Sequence, residues 1–515
     1  MVLRRKLAFF ASAALLASSQ SVSNEELLAT LDLDDECDAR DKDGQCTLNA
    51  LQLRQNALND LKGEAAYAHL SGLQETYRKA EEQYKGELNA TTDLRARGAP
   101  MYATSYSGMA WPETTVSGPG PTHIFAIGDW GGLDGTLWTN MWPPAGRNRL
   151  IVYKGGQKAG PSVFPRTRYN LNHSVLLCSH QQFIDCYNFE NCVPGCGFVD
   201  GVDTQPQLLV AEQFKKYAAL LDPKYILNVG DNFYWGGVEK DCGYPMSSMS
   251  YEAKHQFDQV YEGVYGGPGL DNVPWFSVLG NHDWGGRVFN NGWDQQIAYT
   301  WQSNRWVMPA PYYSTKINYP DQGFSVDLFM LDSNIQDAHP PDEDPEHNIC
   351  GNAHNKAWTT CAVAGGPPSV GLCHSWFEQM WQRQKLWLED KLRQSTAEWQ
   401  IVVTHFPCGH AAEWYRQLKG QGLDLLVTGH RHNQELWDKR HPRSNELANL
   451  PCFVTGGGGG ISSEATPIIN DGNWYGEGQY GFYDLEITKE TIVITSIGFN
   501  GTIMKNATIS PSPKR

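Results

Sequence analysis

The sequence has too little positive charge for a protein whose main partner is a polyanion. Lysine and arginine number 41 against 57 aspartates and glutamates, which gives a formal net charge of -16. Nucleic acids and anionic membrane surfaces favour basic proteins, so we expect neither as the main partner. A small anionic substrate is not excluded, because bound metal ions can set the local field of a pocket whatever the overall charge.

The chain also lacks a long apolar run beyond its first residues, so no stable membrane insertion is expected. A basic flank at residues 4–6, an apolar stretch at 7–16 and small residues at 17–19 are typical of a secretory signal. The stretch is shorter than the ~20 residues of a membrane-spanning helix. We therefore predict a signal peptide over residues 1–19, rather than an ordinary N-terminal helix. The expected location is outside the cell, or in the secretory pathway or a lysosome-like compartment.

The 12 cysteines lack the short repeated spacing of a zinc site. In a secreted chain an even number of cysteines favours disulfides, although the connectivity cannot be deduced from the sequence. Four Asn-X-Ser/Thr sequons agree with a glycoprotein on the same route; they begin at Asn89, Asn172, Asn500 and Asn506.

Five short apolar runs each end in a side chain that can bind a metal, usually beside a glycine. These side chains are Asp129, Asp231, Asn281, His405 and His430. Open α/β sheets place their ligands at the carboxyl ends of strands, and glycine lets backbone and ligand approach closely. Any one of these residues alone would be a helix cap or a satisfied core residue. Five such strand ends in one chain predict a metal site.

The complete donor set suits two metals better than one. It adds Tyr234 and His432 to the five strand-end residues. A bridging carboxylate would hold two ions roughly 4 Å apart. Asp231 is the expected bridge, because it is central in the order of motifs and stands three residues before Tyr234. A phenolate needs a strongly Lewis-acidic ion, so Tyr234 favours ferric iron over magnesium or calcium.

These motifs resemble those of the purple acid phosphatases, most closely the small tartrate-resistant type. The resemblance covers most of residues 123–500, but neither residues 1–120 nor two cysteine-bearing insertions. The five blocks that carry it are Gly128-Asp129-Trp130-Gly131, Gly230-Asp231-Asn232-Phe233-Tyr234, Gly280-Asn281-His282-Asp283, Val402-Val403-Thr404-His405 and Gly429-His430-Arg431-His432.

The resemblance implies an α/β fold, a metallophosphoesterase-type αββα sandwich of two mixed β-sheets flanked by helices. It implies an acid phosphatase that hydrolyses small phosphate monoesters by attack of a metal-bound hydroxide. His282 would help to bind phosphate or protonate the leaving group. The implied ligands are Asp129, Asp231, Tyr234 and His432 for Fe(III), and Asp231, Asn281, His405 and His430 for divalent Fe, Zn or Mn.

Three features depart from the family pattern. Arg431 stands where the family often has Asp, at a position that points away from the metals, and it could contact anions. Trp284 stands where the tartrate-resistant enzymes usually carry a pocket histidine, for which His410 is a possible substitute. The loop at 335–375 is longer than the exposed loop that restrains activity in that type, and it carries cysteines.

The sequence divides into segments of different composition. We predict a helical N-terminal extension or pro-segment at 20–96 and a Pro/Gly-rich linker at 97–121. A catalytic domain follows at 122–509, with insertions at about 133–205 and 335–375, and a tail at 510–515. The oligomeric state does not follow from the sequence.

Two other functions remain open. One is a manganese- or zinc-dependent phosphodiesterase or nucleotidase on the same scaffold. The other is a secreted, non-catalytic binding protein whose metals only brace the fold.

Overall fold

The computed structural model describes residues 97–132 and 206–512, except 235, 346, 461–475 and 478–479. The predicted signal peptide, the N-terminal extension and the insertion at 133–205 lie outside these residues. So do six of the cysteines and the sequons at Asn89 and Asn172.

The described strands form two mixed sheets. Their bounds are β1 Thr114–Thr115, β2 Thr122–Ile127, β3 Ile226–Asn228, β4 Trp275–Ser277, β5 Trp306–Val307, β6 Tyr313–Tyr319, β7 Phe324–Met330, β8 Trp399–Val403, β9 Leu425–Thr428, β10 Gln434–Trp437, β11 Cys452–Thr455, β12 Gly476–Glu477, β13 Gly481–Ile487, β14 Ile492–Gly498 and β15 Ile503–Ile509. One sheet has eight strands in the order β1-β6-β7-β8-β9-β11-β10-β12, and the other has seven in the order β15-β14-β13-β2-β3-β4-β5. The predicted α/β sandwich of two mixed sheets is confirmed.

Parallel pairing at the centre of each sheet aligns the strand ends that carry the candidate ligands. In the seven-stranded sheet, β2, β3 and β4 are parallel neighbours. In the eight-stranded sheet, β8 and β9 pair in parallel in the same way. Because parallel strands end at one edge of a sheet, residues that follow these five strands are brought together at that edge.

The described helices connect these strands. They are α1 Pro206–Leu221, α2 Tyr251–Gln256, α3 Trp293–Ala298, α4 Val370–Gln394 and α5 Ala412–Lys419. A π-helical turn, Phe257–Glu262, continues α2 and buries three apolar side chains against the core. Of these helices, none has both the length and the apolar character needed to cross a membrane.

A hydrophobic core fills the space between α4, α5 and one face of the eight-stranded sheet. Its members share almost complete burial; among them are Leu388, Leu392, Val402, Trp414, Leu418, Leu426 and Val454. Leu388 and Leu392 lie four residues apart, which places them on the same face of α4. The neighbouring Leu386 is 69% exposed.

The stretch at 97–121, predicted as a linker, packs onto the eight-stranded sheet. Thr114 pairs in parallel with Ile317 across β1 and β6. The amide of Trp111 donates to the Ser314 carbonyl at 2.7 Å. The Trp111 side chain is buried. Scattered apolar residues among the prolines and glycines make this packing possible, so the folded unit extends before residue 122.

Three disulfides join the six described cysteines: Cys242–Cys361, Cys350–Cys373 and Cys408–Cys452. The expectation of disulfides is confirmed for these residues. Two of the bonds fasten the loop at 335–375, one to the segment after β3 and one to α4. The third crosslinks the loop after β8 to β11.

Leu388 and Leu386 provide a matched test of the α4 packing. Replacing the fully buried Leu388 with alanine should lower the free energy of unfolding by about 2–5 kcal/mol, because it leaves a cavity. Leu386→Ala on the exposed face should change it by less than about 0.5 kcal/mol. Urea unfolding followed by circular dichroism measures both; equal losses would contradict the packing.

Candidate metal centre

Each sheet contributes donors from loops just after parallel strands. Asp129 follows β2, Asp231 follows β3, and Asn281 follows β4 of the seven-stranded sheet. His405 follows β8 and His430 follows β9 of the eight-stranded sheet. These positions could be predicted from the sequence, because the apolar residues that form the buried strands stop at these points.

Three donor residues have left-handed backbone conformations. The φ angles are 55° at Asp129, 52° at Asp231 and 70° at His430. Residues with side chains avoid this region, and each such conformation costs on the order of 1–3 kcal/mol. Three at one edge indicate that the turns are shaped by what the side chains bind.

Four donors form the first group, centred on a phenol oxygen. Tyr234 Oη lies 2.7 Å from Asp231 Oδ2, 3.2 Å from Asp129 Oδ1 and 3.0 Å from His432 Nε2. Atoms of Asp129, Asp231 and His432 all lie within 4.8 Å of one another, close enough to hold one metal ion. The predicted ferric ligands therefore come together in space.

The second group is centred on an amide oxygen. Asn281 Oδ1 lies 3.0 Å from His405 Nε2 and 3.3 Å from His430 Nδ1. His405 Nε2 lies 3.5 Å from Asp231 Oδ1. One oxygen of Asp231 thus faces the tyrosine group and the other faces the histidine group. This is the arrangement of a carboxylate that could bridge two ions.

Contacts behind the donors fix their orientation. His405 Nδ1 contacts the Val229 carbonyl oxygen at 2.9 Å, which leaves Nε2 for the site. The Asn281 Nδ2 amide donates to Asp337 Oδ2 at 3.0 Å, so its oxygen faces the two histidines. Such supporting contacts set which ligand atom is offered to a metal. No sequence pattern pointed to Asp337, which lies in the 335–375 loop.

The charges of this buried group call for a cation. Burial, followed by the Asp231 carboxylate, raises the pKa of Asp129 well above its usual value and that of Asp283 to about 8. Burial and both ligand carboxylates raise the pKa of Tyr234. Burial alone would raise the pKa of Asp231, but the charges of His405 and His282 outweigh it and lower that pKa. A multivalent cation favours the anionic forms of all these groups, so the donor set fits a metal.

Glycines leave room for the donors. A Cβ atom added at Gly280 would lie 2.1 Å from Asp231 Oδ1, and one at Gly429 would lie 2.6 Å from Asp129 Oδ2. One at Gly460 would lie 2.1 Å from Tyr234 Cε2. The Gly456–Gly460 run therefore borders the tyrosine.

Comparison with known proteins agrees with this geometry. The family described as Calcineurin-like phosphoesterase matches residues 203–434. Tartrate-resistant acid phosphatase type 5 of Oryctolagus cuniculus is 27% identical over 317 residues, covering 58% of this chain and 82% of that protein. Purple acid phosphatase 17 of Arabidopsis thaliana is 26% identical over 238 residues, covering 44% of this chain and 57% of that protein. These matches support the purple acid phosphatase family for this chain.

The solved structure titled "GAP50 the anchor in the inner membrane complex of Plasmodium" aligns with a TM-score of 0.44 at 16% identity. The alignment covers 76% of this chain and 90% of that one. The purple acid phosphatase relatives share a metallophosphoesterase domain whose members use a binuclear metal centre.

Two further residues lie beside the donors, one that matches the family motif and one that departs from it. The ring of His282 lies 4.6 Å from that of Tyr234 between centroids, at the edge of the first group. Trp284 is fully buried, packs against Trp293 with ring centroids 4.1 Å apart and donates its Nε1–H to Asp332 Oδ2 at 2.7 Å. An indole that faces the core cannot replace a pocket histidine.

Gly280→Ala should remove bound metal, because the added methyl group would displace Asp231. We expect the affinity for the metal to fall roughly 10- to 100-fold, as for other changes that misorient ligands. Less metal should therefore be retained per folded chain. Gly371→Ala is the matched control, since an added Cβ there meets nothing within 4 Å. Metal analysis of the folded, monodisperse fraction measures both variants; full metal content in the Gly280 variant would contradict the geometry.

Proposed function

We propose that the protein is an acid phosphatase that hydrolyses phosphate monoesters at a centre of Fe(III) and a divalent ion, Fe, Zn or Mn. The single observation that carries the proposal is the Asp231 carboxylate between two complete donor groups. Its Oδ2 lies 2.7 Å from Tyr234 Oη and its Oδ1 lies 3.5 Å from His405 Nε2. The similarity to phosphoesterases and acid phosphatases supports the hydrolase class.

The roles of the ligands follow from their donor atoms. Tyr234, Asp129, Asp231 and His432 supply hard oxygens and one nitrogen, which suit a trivalent ion. Asp231, Asn281, His405 and His430 would hold the divalent ion. When bound, such a pair polarises phosphoryl oxygens and lowers the pKa of water.

His282 is the proposed proton donor to the leaving alcohol. The residue directly follows ligand Asn281 in the sequence. Its backbone amide donates to Asp231 Oδ1 at 3.0 Å. The residue is 8% exposed, whereas Asp231 and His405 are fully buried. A side chain at this edge can reach a substrate without binding a metal.

A location outside the cell, or in the secretory pathway or a lysosome-like compartment, is part of the same proposal. Disulfides persist in oxidising compartments, and all six described cysteines are paired. Small phosphorylated molecules are the expected partners.

Turnover of an aryl phosphate at acid pH tests the proposed reaction. Metal-loaded wild type should release phosphate from 4-nitrophenyl phosphate. His282→Ala should lose roughly 100-fold or more in kcat, as expected for a general acid. Asp231→Asn should be inactive because both ions lose a shared ligand.

The matched control is His255→Ala in α2, away from the strand ends, which should retain wild-type turnover. Activity retained by folded Asp231→Asn protein would refute the bridging role. A folded, metal-loaded wild type without turnover would favour the non-catalytic binding protein. Preference for a diester would favour the phosphodiesterase.

The optical spectrum tests the ferric ion separately. Tyrosinate bound to Fe(III) absorbs visible light, whereas zinc or manganese at this tyrosine gives no such band. We expect iron-loaded protein to be coloured and Tyr234→Phe to lose the band while it stays folded. Tyr261→Phe, which alters another buried tyrosine, should keep it. A colourless iron-loaded wild type would contradict this assignment.

A further inference from the structure

Two neighbouring glutamines of α3, Gln295 and Gln296, are both fully buried. Buried amides need hydrogen-bond partners, and these two side chains find them in different directions. Gln296 Nε2 donates to Asp283 Oδ1 at 2.9 Å, and its Oε1 accepts from Asn232 Nδ2 at 3.0 Å. Gln295 Oε1 accepts from the backbone amide of Ser250 at 2.8 Å. Gln296 therefore contacts the turns after β3 and β4, whereas Gln295 contacts the start of α2.

The carboxyl group of Asp283 fastens the turn after β3 to the turn after β4. Its Oδ1 accepts from the Asn232 backbone amide at 2.9 Å. Its Oδ2 accepts from Asn232 Nδ2 at 3.1 Å and from the Gly280 backbone amide at 2.8 Å. Among the described residues, Gln296 is the donor to this carboxyl group that comes from outside the two turns. Helix α3 thus anchors both turns through one side chain.

The two turns carry both oxygen donors of the second group. Asn232 directly follows Asp231, and Gly280 directly precedes Asn281. The turns also meet at a donor atom, because the His282 backbone amide donates to Asp231 Oδ1 at 3.0 Å. A shift of one turn against the other would therefore change the separation of the Asp231 and Asn281 oxygens.

The first donor group has supports outside this network. The His430 backbone amide donates to Asp129 Oδ2 at 3.0 Å. The Asp129 amide donates to the Gly230 carbonyl at 2.9 Å, and the Tyr234 amide donates to the Gly131 carbonyl at 2.8 Å. A change in the α3 contacts should therefore affect the second group more than the first, although the two groups share one carboxylate.

We propose that Gln296 is a positioning residue of the metal centre. Acting through Asp283, its amide fixes the separation of the Asp231 and Asn281 oxygens, and with it the affinity of the second donor group for its ion. The inference rests on the proposed function and adds to it a residue whose side chain bonds to neighbours of the donors. Contacts of this kind behind metal ligands set their orientation.

The contact specifies an amide side chain. The Asp283 oxygen takes a donor and Asn232 Nδ2 takes an acceptor, and one glutamine presents both. Methionine would fill nearly the same volume without either hydrogen bond. Asparagine would keep both groups on a side chain that is shorter by a methylene, so it could not hold both partners at these distances. Substitution of Gln296 by each of them separates hydrogen bonding from volume.

The affinity of the iron-loaded chain for Zn²⁺ tests the inference. In Gln296→Met, the dissociation constant should rise roughly 10- to 100-fold, the usual effect of removing a contact that orients a ligand. Gln296→Asn disturbs the helix less and should also weaken binding. Equilibrium dialysis of the folded, monodisperse protein against Zn²⁺ measures all variants. The visible band assigned to Tyr234 bound to Fe(III) should persist in both.

Gln295→Met is the matched control, because it makes the same substitution at the adjacent, equally buried position. It removes the hydrogen bond to Ser250 and leaves the contacts of Asp283 in place. Its Zn²⁺ affinity should match the wild type. Urea unfolding should show comparable losses of stability in Gln295→Met and Gln296→Met, so that a difference in affinity is not a difference in stability.

Wild-type Zn²⁺ affinity in folded Gln296→Met protein would overturn the inference and leave the proposed function intact. Equal weakening in Gln295→Met would also overturn it, because the effect would then follow from general loosening of α3. Loss of the Tyr234 band in Gln296→Met would overturn the assignment to the second group. Wild-type protein that takes up neither iron nor Zn²⁺ would contradict the proposed function itself.

Discussion

The shared position of Asp231 is the constraint on which the rest of the site depends. Its two oxygens face different donor groups, and its side chain is fully buried beside two further carboxyls, Asp129 and Asp283. Such a concentration of buried acids is costly without compensating positive charge. Burial lowers the pKa of His405 and His430 and so favours their neutral forms, which leaves this charge to a metal pair. The left-handed turns and the adjoining glycines provide the backbone geometry that this arrangement requires.

Neither sheet carries both donor groups alone. The seven-stranded sheet provides the two aspartates, Tyr234 and Asn281, whereas the eight-stranded sheet provides the three histidines. Hydrogen bonds across the sandwich fix their relation: Thr455 Oγ1 donates to the Ala126 carbonyl at 3.0 Å. The amide of Gly128 donates to the Thr455 carbonyl at 2.9 Å. Because an unfolded chain cannot assemble such a site, metal binding and packing of the two sheets should stabilise each other.

The same division explains what the sequence could and could not predict. The ligand-bearing strand ends could be predicted because each apolar run stops at a donor, a local pattern that does not depend on how the strands are arranged. The pairing of Cys242 with Cys361 could not be predicted, because it joins residues 119 positions apart. Asp337 was missed for a similar reason: only the fold brings it within 3.0 Å of Asn281. The stretch at 97–121 read as a linker because its prolines and glycines outweighed a few apolar residues whose partners lie on β6.

Two departures from the family pattern, Trp284 and Arg431, have different surroundings. After Asp283, the position of a pocket histidine is filled by Trp284, whose indole packs on Trp293 in the core. Arg431, at the other departure, contacts a carboxylate through its side chain. Arg431 is held by Glu435 and not by a ligand side chain, so its guanidinium can change without moving the donor atoms. A change of the Arg431 side chain is therefore separable from metal binding in this fold.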